Sequence, residues 1–399
     1  MGYGFSRADV AFLSGAAGAA ALARVDRLEL TTATHLRDLE SVRRAFGASA
    51  AALVETVRLR RKAGVKLLDA AHWLFTDDAL QQATPTLVAR RRAMRLAGRA
   101  VHDVTCSIGA EIAELAAICP RVLGSDLDDV RLSMAAHNLA GSRNVLLARA
   151  DALAPVSTDT VVLADPARRA DGRRTHDPAK LQPPLPDLIA AYPGRDLVVK
   201  CAPGLDFDRL GWAGEVEVVS LDGSVREACL WSSGLADPTV TRRATVLRSN
   251  GSEAVITDAE PDEIAERAPG EWILDPDGAV VRAGLVRHFA AKHGLWQLDP
   301  RIAYLTGDHV PAGMRGFRVL DRFELREKTV RAQLRKHDCG ALEIMTRGVD
   351  LDPDSLRRRM KPQGTQPYTL IITRIGRTPT VFLCTATAAR AAGREAALD

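Results

Sequence analysis

Residues 161–172 read VVLADPARRADG, a short apolar run that ends abruptly in Asp165-Pro166, with two arginines close behind. A bare Asp-Pro is an ordinary polar turn. It gains meaning only if neighbouring apolar runs also deliver acids to their ends, and they do. From Ala100 onward the chain spells AVHDVTC, RVLGSD and NVLLARAD before this stretch, and DLVVKCA after it. Helical stretches, GAEIAELAAIC and DDVRLSMAAHNLAG, separate the first of these runs. Strands alternating with helices predict a parallel sheet covered on both faces. EVEVVSLDG and EACLWSSG then follow closely, so the sheet is expected to finish on an antiparallel pair. The fold class is α/β, a Rossmann-like, doubly wound sheet of seven strands.

The flanks have a different texture. Residues 1–97 are predicted helical: TTATHLRDLESVRRAFG and SAAALVETVRLRRKAG each carry apolar residues at helical spacing and end in Gly. TPTLVARRRAMRLAG has Pro85 in its first turn, and its Arg90, Arg91, Arg92 and Arg95 are expected to form a solvated face. The sheet domain spans 98–240, and a Pro- and Gly-containing stretch at 241–315 reads as a connecting segment. Residues 316–388 spell β-α-β-α-β-β, a small α+β C-terminal domain.

Composition limits the functional classes. The chain has 399 residues, 46% of them hydrophobic and 26% charged, as expected for a soluble protein of two or three domains. The longest small-apolar run, VAFLSGAAGAAALA, is too short to span a bilayer and is broken by Gly, so no membrane partner is expected and the cytoplasm is the default location. Six cysteines are scattered without metal-ligand spacing, which argues against a metal site and a disulfide framework. Net charge is only +4, but from Val310 onward seventeen Lys/Arg face ten Asp/Glu, about +7 against about −3 for the rest. Such asymmetry hints at a nucleic-acid-facing end.

Ligands of an open parallel sheet bind beyond the carboxyl ends of its strands. Strand one ends in HDVTCSIGAE, where Asp103 is followed by Thr105, Cys106, Ser107 and Gly109 at the opening of a helix. Small residues there let a ligand approach the backbone, and the acid can engage an amine or hydroxyl. Strand two ends in Asp126-Leu127, a carboxylate suited to ribose hydroxyls; a helix cap is the competing reading, with Asp128 as the alternative cap. Strand three ends in Asp151-Ala152, placed for an adenine amino group. Upstream, Thr76, Gln82 and Thr84 could cover the far end of such a ligand, and Thr84 could equally cap a helix.

DVTCSIG, GSDLD, ARAD and ADPAR, in this order and spacing, resemble the class I S-adenosylmethionine-dependent methyltransferases. DVTCSIG is similar to the form seen in trimethylguanosine synthases and C5-uridine RNA methyltransferases, and DPAR to the latter's Asp-Pro-Pro/Ala-Arg. WLFTDDALQQATPTLVARRRAMRL and LEIMTRGVDLDPDSLRRRMKPQG…YTLIITRIG resemble bacterial methyltransferases with a C-terminal THUMP-like domain, over nearly the whole chain. The resemblance implies S-adenosyl-L-methionine as cofactor. Two departures stand out: Ser107 replaces a usual Gly, and Cys201 lies near the nucleophile position of the C5-uridine enzymes without their Ser-Cys-Asn-Pro context. Cys201 therefore reads as a half-buried thiol.

In a methyltransferase the strand-tip Asp165 would orient the acceptor, Pro166 would fix the turn, and Arg168 could stack on a base or pair with a phosphate. The aromatic and second proline usual in N-methylating enzymes are missing, which leaves a base nitrogen, a base carbon and a non-nucleic acceptor open. Lys200 and Asp206 are weaker candidates. Tyr304, Arg347, Arg357, Arg358 and Arg359 could contact phosphate. The expectation is a methyltransferase acting on a base of RNA, tRNA or rRNA. Its rivals are methylation of a small molecule or protein, and an RNA-binding protein with a degenerate donor fold.

Overall fold

The computed structural model describes residues 2–167, 169–170, 173–174 and 177–386. The chain forms two compact units: the first holds the residues up to Pro238 together with Leu247–Glu253, the second Thr239–Val246 and the residues from Ala254 onward.

The first unit opens with six helices: α1 (Arg7–Ser14), α2 (Ala16–Val25), α3 (His35–Phe46), α4 (Ala50–Ala63), α5 (Asp77–Gln82) and α6 (Thr86–Arg95). Gly15 splits the long small-apolar run into α1 and α2, and Ser6 and Asp9 close a capping box on α1. Leu13, Leu22, Leu53, Val57, Leu74 and Phe75 bury the helical core. Two of the four arginines expected on a solvated face of α6 turn inward instead. Arg92 is buried and Arg95 nearly so, because buried glutamates wait for both.

The sheet of this unit uses β1 (Val101–Asp103), β2 (Val122–Asp126), β3 (Val145–Arg149), β4 (Val161–Ala164), β7 (Leu197–Cys201), β8 (Gly214–Leu221) and β9 (Ser224–Ser232). A two-residue antiparallel pair, β5 (Arg169–Ala170) and β6 (Arg173–Arg174), follows β4. These seven strands lie in the order β8-β9-β7-β4-β1-β2-β3, parallel from β7 to β3, with β9 antiparallel to β7 and β8 antiparallel to β9. Helices α7 (Ala110–Ile118), α8 (Asp129–Asn138), α9 (Leu185–Ala191) and the short α10 (Phe207–Leu210) make the connections.

Register decides where the strand tips fall. Asp103 pairs with Gly124 on one side and Leu163 on the other. Asp126 and Asp165 therefore each stand two residues beyond Asp103 on the flanking strands. Asp126 pairs with Arg149, and Asp151 lies two further on. The chain runs β1 to β3 in one direction and resumes at β4 on the other side of β1, so all four acids share the rim at the switch point of the sheet.

Strands β10 (Arg242–Leu247) and β11 (Glu253–Thr257) fall at the boundary between the units. The second unit then adds β12 (Trp272–Leu274), α11 (Gly278–Arg282), α12 (Val286–Lys292), β13 (Trp296–Asp299), β14 (Ile302–Gly307), β15 (Gly316–Glu324), α13 (Glu327–Lys336), β16 (Cys339–Thr346), α14 (Pro353–Met360), β17 (Gln366–Ile375) and β18 (Thr378–Ala386). Residues 241–315, read as a connecting segment, thus carry strands of their own. β12, β13 and β14 join the C-terminal strands in one sheet, ordered β13-β14-β12-β15-β18-β17-β16. Their shortness hid the pattern, although Ile273, Leu274 and Leu305 are fully buried.

Candidate active site

The β1–α7 turn is built by small side chains and two left-handed residues. Ser107 has φ +50° and Gly109 φ +83°, and a Cβ on Gly109 would come within 2.6 Å of Leu139 Cδ1. An L-residue in this conformation is strained. At Ser107 a charged partner offsets that strain: its amide donates to Asp126 Oδ2 at 2.9 Å, while the Asp128 amide donates to Asp126 Oδ1 at 2.9 Å. The cap of α8 is Asp128, which accepts from the amides of Val130 and Arg131, so Asp126 is not committed to that task. A carboxylate has about four lone-pair sites, so Asp126 keeps capacity for ligand hydroxyls.

Asp103 is buried, and Oδ1 accepts from the Thr105 amide at 3.1 Å. Burial pushes its carboxyl up to about 7, with Glu111 and Asp165 adding to the rise and the Thr105 amide and Lys200 opposing it. Thr105 also ties β1 to β4, since its hydroxyl accepts from the Asp165 amide at 2.7 Å.

A cavity of about 420 Å³ lies over this rim. It brings together Asp103, Thr105, Cys106, Ser107, Asp126, Leu127, Asp151, Ala152, Asp165, Gln82 and Thr84. Gly109 and Pro166 do not line it; Gly109 shapes the turn, and Pro166 lines the hollow next door. Thr76 caps α5, accepting from the Ala79 amide, and lies outside both hollows. Thr84 is no cap: α6 begins two residues later, and the Thr84 hydroxyl accepts from Lys200. Cys201 is buried in β7 and lines neither hollow, and Asp206 caps α10. Arg168 lies outside the described residues.

The neighbouring cleft, about 310 Å³, shares Gln82, Ala83, Thr84, Asp165, Ala167 and Lys200 with the cavity and adds Lys66, Pro166, Arg226 and Glu227. Lys200 is the hub. Its ammonium donates to Thr84 and to Asp165 Oδ2, the latter at 2.5 Å, and stands 3.8 Å from Glu111 and 4.0 Å from Glu227. Arg92 bridges the same two glutamates, and Arg95 binds Glu215 and Glu217 at 2.6 and 2.7 Å while lying over the Trp231 ring.

Sequence reasoning passed over Lys66, Glu111 and Glu227 and gave Lys200 little weight. The available signal was a lysine inside VVKCA and a glutamate heading EACLW, since a charge in a buried strand must be paired. In the second unit, Arg347 pairs with Asp275 at 2.7 Å and lies over the buried Tyr304 ring. Arg357 donates to the Leu342 carbonyl and to Asp354. Arg359 pairs with Glu327, and Arg358 is exposed, 3.9 Å from Asp352.

The donor set suits a nucleoside that carries a sulfonium and an ammonium. Acids at Asp103, Asp126, Asp151 and Asp165 outnumber the cations, and the volume lies within the usual small-ligand range of about 300–1,000 Å³. The comparisons agree with this chemistry. Over 345 residues the chain is 55% identical to an uncharacterized S-adenosylmethionine-dependent methyltransferase of Mycobacterium tuberculosis, represented in strains CDC 1551 and H37Rv, covering 84% of this chain and 96% of the relative. Residues 314–386 match the THUMP domain-like family model, and residues 6–63 match a domain of unknown function (DUF8688). A crystal structure from Porphyromonas gingivalis W83, described as a candidate methyltransferase, superposes with TM-score 0.69 at 18% identity over 95% of this chain and 98% of that one. At that identity the likeness speaks for the fold.

Proposed function

This chain belongs to the class I S-adenosylmethionine-dependent methyltransferases with a C-terminal THUMP-like domain, and we propose that it methylates RNA, tRNA or rRNA, at the cleft beside its donor cavity. S-adenosyl-L-methionine is the methyl donor, and when bound it supplies an electrophilic methyl on a sulfonium centre. In this reading Asp103 receives the methionine ammonium, with Gln82 and Thr84 covering that end. Asp126 accepts the ribose hydroxyls, and Asp151 with Ala152 faces the adenine. The β1–α7 turn supplies backbone rather than bulk, so the ligand can lie close to Ser107.

One observation carries the proposal. The cavity and the cleft share the wall made by Asp165, Lys200 and Thr84, so donor and acceptor meet at the tip of β4. Holding an acceptor in line there and excluding water is most of what the protein must do. Pro166 stiffens the tip. RNA as the acceptor is supported by the THUMP domain-like match and by the concentration of basic charge after Val310. Arg226, exposed at the mouth of the cleft, adds a cation where a phosphate backbone would enter.

Calorimetry and methyl transfer test the reading in two stages. S-adenosyl-L-methionine is expected to bind, and Asp126→Ala to weaken binding about 10- to 100-fold, the worth of charge-assisted hydrogen bonds. Labelled methyl is then expected to pass to tRNA or rRNA from a strain lacking the gene, with RNA binding that falls steeply as salt rises. Donor binding without transfer to either RNA would refute RNA as the acceptor.

A further inference from the structure

The charge around the cleft bears on which atom receives the methyl. Lys66 follows α4 in a turn whose backbone is pinned: its amide donates to the Ala63 carbonyl, and its carbonyl accepts from the Thr86 amide. Its ammonium donates to the carbonyls of Leu80 and Gln81, at 3.0 and 2.8 Å, where α5 ends. Two protons are thus committed to backbone, which leaves the third position of the same nitrogen in a group that lines the cleft. Lys200, bound to Asp165 and flanked by Glu227, forms the cleft's inner wall, and Arg226 stands at the mouth.

A neutral base nitrogen that attacks a sulfonium methyl develops positive charge, which the Lys200 ammonium and the Arg226 guanidinium would oppose. A hydroxyl must instead lose its proton and develops negative charge, which the same cations stabilise. No aromatic side chain lines the cleft among the described residues, so nothing there offers a stacking surface for a base. Asp165 Oδ2 is bound to Lys200, which ties this acid to the cation of the inner wall.

We propose that the acceptor atom is a hydroxyl oxygen, the ribose 2′-hydroxyl of an RNA, with Lys66 as the general base and Lys200, set by Asp165 and Glu227, as the cation that holds the developing alkoxide. This rests on the RNA reading above. In the step the hydroxyl O–H bond breaks and its proton goes to neutral Lys66 Nζ. The oxygen pair forms the O–CH₃ bond as the S–CH₃ bond breaks, and that bonding pair stays on sulfur. The products are a 2′-methyl ether and S-adenosylhomocysteine, and Lys66 later returns its proton to water. The base must be neutral near neutral pH to act, and the ammonium's setting favours this. Burial first, then the positive charges of Lys200, Arg226 and Lys62, bring Lys66 down to about 8, against the opposing pull of Asp165.

The test uses the full-length protein, labelled S-adenosyl-L-methionine, and total tRNA and rRNA from a strain lacking the gene, with products read as nucleosides by mass spectrometry. A 2′-O-methylnucleoside is expected. A base-methylated nucleoside would overturn this proposal and leave the RNA reading standing. No label in any RNA, from protein that binds the donor, would overturn the RNA reading and this proposal with it. The kinetics give a second readout. The wild-type rate should rise about tenfold per pH unit below about pH 8 and level off above it. Lys66→Arg keeps the charge and cannot serve as base, so it should lower kcat by about 10²- to 10⁴-fold, abolish that limb and leave donor affinity intact. A Lys66→Arg protein with the wild-type rate and pH profile would overturn the assignment.

Discussion

The cleft of the first unit and helix α14 of the second are both rich in charge, and they use it in opposite ways. At the cleft wall and behind it, Lys200, Glu111, Glu227 and Arg92 are each less than a tenth exposed at the side chain and are held by one another. On α14, Arg358 is three-quarters exposed, with its nearest carboxylate 3.9 Å away. Buried charges must be paired, and removing one strands the rest; exposed charges are screened and cost little to remove. The same residue types therefore fix structure in one unit and remain available for a partner in the other.

Breaking the buried set gives the largest expected effect. Lys200→Met takes the ammonium away from Asp165, Glu111 and Glu227 and leaves the two glutamates with Arg92 as their cation, and unfolding in denaturant should show a loss of about 3–5 kcal/mol. Adding Asp165→Asn removes the acid nearest to Lys200, so the double variant should lose less than the two singles summed. If Lys200→Met kept the parental stability, the cluster would not be a mutually dependent unit, and the contrast with α14 would fail.

A smaller effect, on binding, comes from Asp103. Its carboxyl is raised to about 7, so in the free protein it is protonated below that pH. A donor ammonium favours the ionised form. Donor affinity should therefore climb with pH up to about 7 and flatten above, with proton release on binding near pH 6. For stability the sign is opposite. The folded value lies above the unfolded one, so this group's stabilisation is fully present below the unfolded value and is lost as pH rises through about 7. Asp103→Asn should flatten both dependences, and calorimetry in buffers of different ionisation enthalpy would register the released proton. A wild-type affinity that does not change with pH would remove Asp103 from the donor's ammonium.

These two predictions also mark what sequence could and could not reveal. Asp103, Asp126, Asp151 and Asp165 were legible because each ends an apolar run, and a strand fixes where its tip points. The order of runs and helices then made the parallel sheet and its antiparallel β8–β9 hairpin legible too. What was hidden is pairing at a distance. Arg92 and Arg95 look like one more solvated helix face, because their partners Glu111, Glu215, Glu217 and Glu227 lie in other elements, Glu217 being 122 residues from Arg95. Lys66 was invisible for a related reason: its ammonium is held by backbone carbonyls, which carry no side-chain signature. Strands β12 to β14 were missed because three to six residues between prolines and glycines show too little alternation to read.

The exposed side of the comparison gives the smallest effect and the sharpest control. Arg358→Ala removes a side chain whose carboxylate neighbour is distant and solvated, so the melting temperature should not move measurably. If α14 meets RNA phosphate, the same change should lower the slope of log affinity against log salt by about one, and equally for tRNA and rRNA, since a phosphate contact carries no sequence information. Donor affinity and the pH profile belong to the other unit's groups and should stay as they are. Arg357 is the matched contrast on the same helix: its guanidinium is spent on the Leu342 carbonyl and Asp354, so Arg357→Ala should cost stability before it costs RNA affinity. Should Arg358→Ala leave the salt slope unchanged, the exposed charge of α14 would be a solvated face and not the surface that receives the nucleic acid.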